Sequence, residues 1–133
     1  MKVALDPVRN RVALVVEDDA AIRVMLRKIL EHTGLLVIEA GNGRAAIQYL
    51  SEHTPDIVCL DLMLPELSGF DICTYMRQNK RFDTVPVLVI SGRLLPEDQA
   101  QAQELGASGY LTKPFKPEQL RTSVISLLMA RAV

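Results

Sequence analysis

Short apolar runs alternate along this chain with longer segments whose apolar residues recur at helical spacing. The runs are Val12–Val16, Leu35–Ala40, Ile57–Leu60, Val87–Ile90 and Tyr110–Leu111. The first, third and fourth consist almost entirely of Val, Ile and Leu, which is typical of strands covered on both faces. Alternating strands and helices with short connections favour a parallel sheet with right-handed crossovers. The pattern therefore predicts an open three-layer α/β domain with five parallel strands and five helices.

Residues suited to helix starts follow each strand. Asp19 lies where its carboxylate can cap the first helix, and Pro96 and Pro117 suit the first turns of the last two helices. The second and third helices are expected to follow Gly43 and Gly69.

The length of 133 residues suits one domain. Because no linker or repeat is visible, we assign residues 11–133 to that domain and treat residues 1–10 as an N-terminal extension. The chain carries 15 Lys and Arg against 16 Asp and Glu, a formal net charge of -1. No broad basic surface is therefore expected, and neither is direct binding of nucleic acid.

Neither a membrane segment nor a secretory signal is visible. No apolar run approaches the roughly 20 residues of a membrane helix, and the start MKVALDPVRN lacks an apolar stretch with a cleavage site. Cys59 and Cys73 lie within apolar patterns and without metal-ligand spacing, so we expect them in the core. These observations predict a cytoplasmic domain with no membrane partner.

Chemically active side chains follow four of the five predicted strands. In an open parallel sheet, ligands bind beyond the carboxyl ends of the strands. The residues found there are Glu17, Asp18 and Asp19 after the first strand, Asp61 after the third, Ser91 after the fourth and Lys113 after the fifth. The sequence therefore predicts one site at this edge of the sheet.

Carboxylates gathered at one edge repel one another and either take up protons or bind a cation. Oxygen ligands suit Mg²⁺, or Mn²⁺, so we expect Asp18 and Asp61 to bind the ion directly and Glu17 directly or through water. Asp61 is also a candidate nucleophile towards an activated phosphoryl group. Lys113 would neutralise the incoming oxygens and the Ser91 hydroxyl would donate a hydrogen bond to one of them.

Each of these residues also has an ordinary interpretation. Asp19 can be a helix cap only, Asp61 and Ser91 can be turn residues, and Lys113 can be a surface lysine. The prediction of a site therefore depends on their joint placement at successive strand ends.

The chain closely resembles the receiver domain of two-component response regulators, the CheY-like family with a flavodoxin-like fold. The resemblance covers almost everything after residue 10. It is carried by VVEDDAAIR (15–23), DIVCLDLMLPELSG (56–69), PVLVISG (86–92) and GASGYLTKPF (106–115). It implies a doubly wound sheet with strand order 2-1-3-4-5.

The resemblance also implies a role for each matching residue. Glu17 and Asp18 match the acidic pair and Asp61 the phospho-accepting aspartate, while the Met63 backbone carbonyl matches a further ligand to the metal. Ser91 matches the switch hydroxyl, Tyr110 the switch aromatic residue and Lys113 the lysine of the site. The Lys113–Pro114 bond is expected to be cis.

By resemblance, the chain is a phosphorylation-activated signalling switch. Its donor would be a sensor histidine kinase or a histidine phosphotransfer protein, and phosphorylation would change the binding of a downstream protein, whose identity is unknown, through the fourth helix, fifth strand and fifth helix. The catalysis would be limited to phosphorylation of the chain itself and slow loss of the phosphate. We expect a monomer or a weak phosphorylation-dependent dimer. The positions that carry charge in salt-bridged winged-helix dimers are uncharged here: Gln99, Ser108, Gly109, Gln119 and Ser123.

Other interpretations remain. A phosphatase or mutase with an aspartyl-phosphate needs a second Asp two residues after the nucleophile, where this chain has Met63. A flavin carrier needs a phosphate-binding loop after the first strand, where Glu17, Asp18 and Asp19 would repel phosphate. A receiver that acts without phosphorylation, and one that is excised from a larger regulator rather than stand-alone, are further alternatives.

Overall fold

The computed structural model describes residues 8–92 and 95–132. Its strands are β1 (Val12–Val16), β2 (Leu36–Ala40), β3 (Ile57–Leu60), β4 (Val87–Ser91) and β5 (Gly109–Thr112). Its helices are α1 (Ala20–Thr33), α2 (Gly43–Glu52), α3 (Gly69–Arg77), α4 (Pro96–Glu104) and α5 (Pro117–Ala132), with one 3₁₀ turn at Lys80–Phe82. Strands and helices alternate strictly, as the apolar pattern predicts.

The five strands form one parallel sheet in the order β2-β1-β3-β4-β5. β1 lies between β2 and β3, so Ala13 is paired with both Val37 and Ile57. This is the expected doubly wound order. Because all strands are parallel, the residues that follow them meet at one edge of the sheet.

The core has two halves, one on each face of the sheet. Alternate strand residues point to opposite faces. Ala13, Val15, Cys59 and Ile90 belong to the half that also contains residues of α1 and α5. The strand residues that point to the other face pack in the half that contains residues of α2, α3 and α4; among them are Leu14, Val58, Leu60 and Val89. The predicted three-layer arrangement is therefore confirmed, and Cys59 and Cys73 are both buried free thiols, as expected.

The helices begin as the sequence predicts. Asp19 caps α1 by accepting a hydrogen bond from the Ile22 N–H, and Pro96 and Pro117 are the first residues of α4 and α5. Within 8–92 and 95–132, no helix has both the length and the apolarity needed to span a membrane.

The predicted strand bounds differ from the structure by a residue or two. Leu35 lies outside β2 because its N–H donates to the Leu30 carbonyl at the end of α1, next to Gly34 at φ 111°. β4 and β5 are longer than predicted because Ser91 is paired with Thr112.

Part of the expected N-terminal extension lies against the domain. Val8 is 3% exposed and belongs to the core half that contains α1 and α5. The Arg11 N–H donates to the Val8 carbonyl, and the Asn10 N–H donates to the Gly34 carbonyl. The ordered fold therefore begins before residue 11, because an apolar side chain at position 8 reaches the core. Residues 1–7 of the expected extension, and Val133, lie outside the described residues.

Candidate functional site

Three carboxylates meet at the predicted edge of the sheet. Oxygens of Glu17, Asp18 and Asp61 all lie within 4.8 Å of one another. Glu17 directly follows β1 and is buried, Asp18 beside it is exposed, and Asp61 directly follows β3 and is buried. The Asp61 N–H donates to the Val16 carbonyl. The pairing of β1 with β3 thus brings these residues together.

Lys113 reaches this cluster from the end of β5. Its Nζ lies 2.5 Å from Glu17 Oε1 and 3.0 Å from Asp61 Oδ2. Burial alone would lower the pKa of Lys113, but the hydrogen bonds to Glu17 and Asp61 outweigh it and the pKa is raised. The ammonium therefore stays charged and bridges the two carboxylates. The Lys113–Pro114 bond is cis, as the resemblance implies.

Glu17 is held from several sides. Burial raises the pKa of its carboxyl, although the Lys113 hydrogen bond and the Asp19 N–H oppose that shift. The Asp19 N–H donates to Glu17 Oε2 at 3.1 Å. The Asp19 carboxylate caps α1 and is not part of the group of three carboxylates, so the helix-cap interpretation fits its side chain.

Hydrogen bonds to both of its oxygens orient the Asp61 carboxylate. Oδ1 accepts a hydrogen bond from the Met63 N–H at 3.0 Å, while Oδ2 faces Lys113. The loop after Asp61 folds back against the end of β3, where the Gly69 N–H donates to the Leu62 carbonyl. The approach is so close that a Cβ at Gly69 would lie 2.4 Å from the Asp61 carbonyl oxygen. The Met63 backbone therefore lies beside the carboxylate, with its side chain exposed. The role of the Met63 carbonyl as a metal ligand stays a prediction.

Ser91 and Tyr110 occupy the strand ends nearest α4. Ser91 is fully buried, and its carbonyl accepts the Lys113 N–H at 2.9 Å. Tyr110 is half-buried, and its hydroxyl donates to the Gln99 carbonyl on α4 at 3.1 Å. Burial raises the pKa of Tyr110, so the phenol is neutral. The backbone of the predicted switch serine is thus linked to that of Lys113, and the predicted switch tyrosine is linked to α4.

The acidic cluster suits a divalent metal ion. Its donors are all carboxylate oxygens, which hard cations prefer. Lys113 contacts Glu17 and Asp61, and its single positive charge is smaller than the charge of three ionised carboxylates. A divalent cation would supply the missing positive charge, with Glu17, Asp18 and Asp61 as its ligands.

Sequence reasoning did not identify Arg23 as part of this region. Arg23 lies on α1, and its Nη1 donates to the Glu17 carbonyl at 2.9 Å. Its Nε pairs with Glu39 on β2 at 3.1 Å. The only signal in the sequence was its position one helical turn after the Asp19 cap. Its partner is a backbone carbonyl, which every residue has, so the pattern of side chains does not indicate the contact.

Comparisons with known proteins agree with this geometry. The family model described as "Response regulator receiver domain" matches residues 13–125. Among solved structures, the receiver domain of a signal transduction histidine kinase from Syntrophus aciditrophicus is 32% identical, with a TM-score of 0.83 over 90% of this chain and 91% of that one. The chemotaxis response regulator CheY4 of Vibrio cholerae is 28% identical, with a TM-score of 0.84 over 89% of this chain and 98% of that one.

Curated relatives include longer proteins. The alkaline phosphatase synthesis transcriptional regulatory protein PhoP of Bacillus subtilis is 36% identical over 119 residues, which cover 90% of this chain and 49% of PhoP. The phosphate regulon transcriptional regulatory protein PhoB of Escherichia coli is 38% identical over 107 residues, 80% of this chain and 47% of PhoB. The chain thus spans about half the length of these relatives. By the matching family model and these identities, the chain belongs to the response regulator receiver domain family.

Proposed function

We propose that the chain is a switch that accepts a phosphoryl group on Asp61 from a phosphohistidine of a sensor histidine kinase or a histidine phosphotransfer protein. The observation that carries the proposal is the position of Lys113, whose Nζ bridges the Glu17 and Asp61 carboxylates. A lysine held there supplies positive charge where the phosphoryl oxygens would arrive. The family, whose donors are histidine kinases, supports the choice of donor.

The proposed transfer uses few groups. A carboxylate oxygen of Asp61 forms a bond to phosphorus while the bond from phosphorus to the donor imidazole nitrogen breaks, and the electron pair stays on that nitrogen. A bound Mg²⁺, or Mn²⁺, would neutralise charge on the phosphoryl oxygens and hold them near Asp61. Glu17 and Asp18 contribute ligands, Lys113 stabilises the transferred oxygens, and the Met63 N–H fixes the orientation of the Asp61 carboxylate. Water later hydrolyses the acyl phosphate slowly and restores the Asp61 carboxylate, so the catalysis is limited to phosphorylation of the chain itself and loss of that phosphate.

The proposed switch begins when the phosphoryl oxygens attract nearby hydrogen-bond donors. The Ser91 hydroxyl and Lys113 move towards the new charge together, because the Lys113 N–H is bonded to the Ser91 carbonyl. Tyr110 leaves the Gln99 carbonyl and turns inward, so α4 is released at that point. Ala102 is the one buried residue of α4 among the described residues, which makes this helix the least anchored. A local change in charge thus selects between two arrangements of α4, β5 and α5.

The partner of the switch would be a protein that binds the surface of α4, β5 and α5. Gln99, Ser108, Gly109, Gln119 and Ser123 give this surface no ion pairs for a salt-bridged dimer, which supports a monomer or a weak phosphorylation-dependent dimer. The near-neutral charge of the chain argues against direct binding of nucleic acid. The two free buried thiols are compatible with the reducing cytoplasm, where we place the protein.

Mass spectrometry tests the proposal. The protein is incubated with Mg²⁺ and acetyl phosphate, and its intact mass is followed over time. We expect the gain of one phosphoryl group in the wild type and no gain in Asp61→Asn. Glu66→Gln removes an exposed carboxylate from the loop that follows Asp61 and is the matched control, which should be phosphorylated normally. No gain in the wild type would contradict the proposal and favour a receiver that acts without phosphorylation.

A further inference from the structure

Arg23 connects three elements beside the acidic cluster. It lies on α1, and its side chain is 22% exposed. Its Nη1 donates to the Glu17 carbonyl at 2.9 Å, and its Nε pairs with Glu39 Oε1 on β2 at 3.1 Å. A guanidinium can hold two acceptors in a fixed fork, which an ammonium cannot.

The carbonyl that Arg23 holds belongs to the peptide between Glu17 and Asp18. That peptide joins two of the three clustered carboxylates. The chain on either side of it is also held: the Glu17 N–H donates to the Ala40 carbonyl, and the Asp19 N–H donates to the Glu17 side chain. The Asp18 side chain is exposed, so its carboxylate is directed by the backbone on its two sides, and this peptide is one of those sides.

Glu39 anchors Arg23 on the other side. Its second oxygen, Oε2, lies 2.8 Å from Arg27 Nε, and Arg27 also pairs with Glu31 on α1. Glu39 therefore lies between two arginines and links Arg23 to β2. Arg27 lies on α1 like Arg23 and contacts the same Glu39 carboxylate. Its ion-pair partners are Glu31 and Glu39.

We propose that Arg23 is a positioning residue: its guanidinium holds the Glu17–Asp18 peptide so that both carboxylates face the metal position. The inference rests on the proposed function, since it concerns the same Mg²⁺ site. Arg23 has two effects of opposite sign on a divalent cation. Its charge repels the ion, while its hydrogen bond orders the ligands. The ordering effect is the larger one.

Two substitutions separate the effects. Arg23→Lys keeps the charge and loses the fork, and Arg23→Met loses both. We expect the Mg²⁺ affinity of Arg23→Lys to fall by about tenfold, as for other groups that orient metal ligands. Arg23→Met should also bind Mg²⁺ more weakly than the wild type. Arg44→Lys, at an exposed arginine of α2 that pairs with Glu66, is the control and should keep the wild-type affinity.

Isothermal titration with magnesium chloride measures the affinities, and the unfolding midpoint of each variant without Mg²⁺ shows that it is folded. A second readout is the initial rate of phosphorylation by acetyl phosphate. Saturating Mg²⁺ should restore this rate in Arg23→Lys, because the defect lies in ligand order and not in Asp61. Equal affinity in Arg23→Lys and the wild type, or tighter binding in Arg23→Met, would overturn the inference and leave the proposed function standing. Normal Mg²⁺ binding by the wild type without phosphorylation at Asp61 would overturn the proposed function instead.

Discussion

Lys113 and Asp61 are 52 residues apart in the chain, and the lysine Nζ lies 3.0 Å from the aspartate Oδ2. They follow β5 and β3, which are separated in the sheet by β4. The long lysine side chain therefore spans a whole strand to reach the carboxylate. This contact joins the proposed acceptor to the residue that directly follows β5, the strand of Tyr110.

Replacement of Lys113 by Met should separate metal binding from phosphorylation. The variant loses the positive charge that faces the phosphoryl oxygens, so we expect phosphorylation by acetyl phosphate to slow by about 100-fold. Its Mg²⁺ affinity should rise, because a cation beside Glu17 and Asp61 has been removed. Mass spectrometry and calorimetric titration measure the two effects. Lys116→Met, an exposed lysine of the same loop, is the control, and equal rates in both variants would contradict the role of Lys113.

Tyr110 should change its environment on phosphorylation. Fluorotyrosine labelling gives three signals, from Tyr49, Tyr75 and Tyr110, and Tyr110→Phe assigns one of them. We expect the Tyr110 signal to shift most, because its hydroxyl leaves the Gln99 carbonyl. Tyr49, which stacks on His53 at the end of α2, is the internal reference. A Tyr110 signal that moves no more than that of Tyr49 would argue against its role in the switch.

A side chain at Gly106 should be costly. Its φ is +93°, and an added Cβ would lie 2.3 Å from Arg77 Nε. The Arg77 guanidinium donates to the carbonyls of Phe82, Val85 and Gly106, so its displacement would leave carbonyls without a partner. We expect Gly106→Ala to lower the free energy of unfolding by about 2 kcal/mol.

Urea denaturation measures this change. Gly92→Ala is the matched control, because an added Cβ there meets no atom of the described residues within 4 Å, and its stability should be nearly that of the wild type. Equal stabilities of the two variants would show that Arg77 and the backbone adjust freely to a side chain at position 106.

The strands and the clustered side chains of the candidate site could be predicted from the sequence because their signals are local. Runs such as Ile57–Leu60 mark buried strands, and the first polar residue after each run marks the sheet edge. Asp61 and Ser91 are those residues after the third and fourth runs, and Lys113 follows Thr112 after the fifth run. Parallel pairing then brings them together without further information.

Contacts to backbone carbonyls could not be predicted in this way. Arg23 and Arg77 both bind main-chain oxygens of residues that the fold brings near, and any residue type can supply such an oxygen. Val8 was missed for a related reason. A single apolar residue beside polar ones has no period, and only the packed structure shows that it reaches the core.

The two cysteines should make stability fall at alkaline pH. Burial raises the pKa of Cys59 to about 12, and burial raises that of Cys73 to about 11 although Arg77 opposes it. Thiols of the unfolded chain ionise near pH 9, so between about pH 9 and 11 the folded state binds more protons and the free energy of unfolding falls as pH rises. Urea denaturation of the wild type and Cys59→Ala at pH 8 and pH 10 measures the slopes. The variant should lose less stability, and identical slopes would contradict the shift.

The most direct test of the account is the chemical identity of phosphorylated residue 61. The protein is phosphorylated with acetyl phosphate and Mg²⁺, reduced with borohydride and digested, and the peptide that contains residue 61 is sequenced by mass spectrometry. Borohydride converts an acyl phosphate of Asp into homoserine and leaves a free carboxylate unchanged. The account predicts homoserine at position 61, only in samples that received both the donor and Mg²⁺. Unmodified Asp61 in protein that carries phosphate, or homoserine at another position, would contradict it.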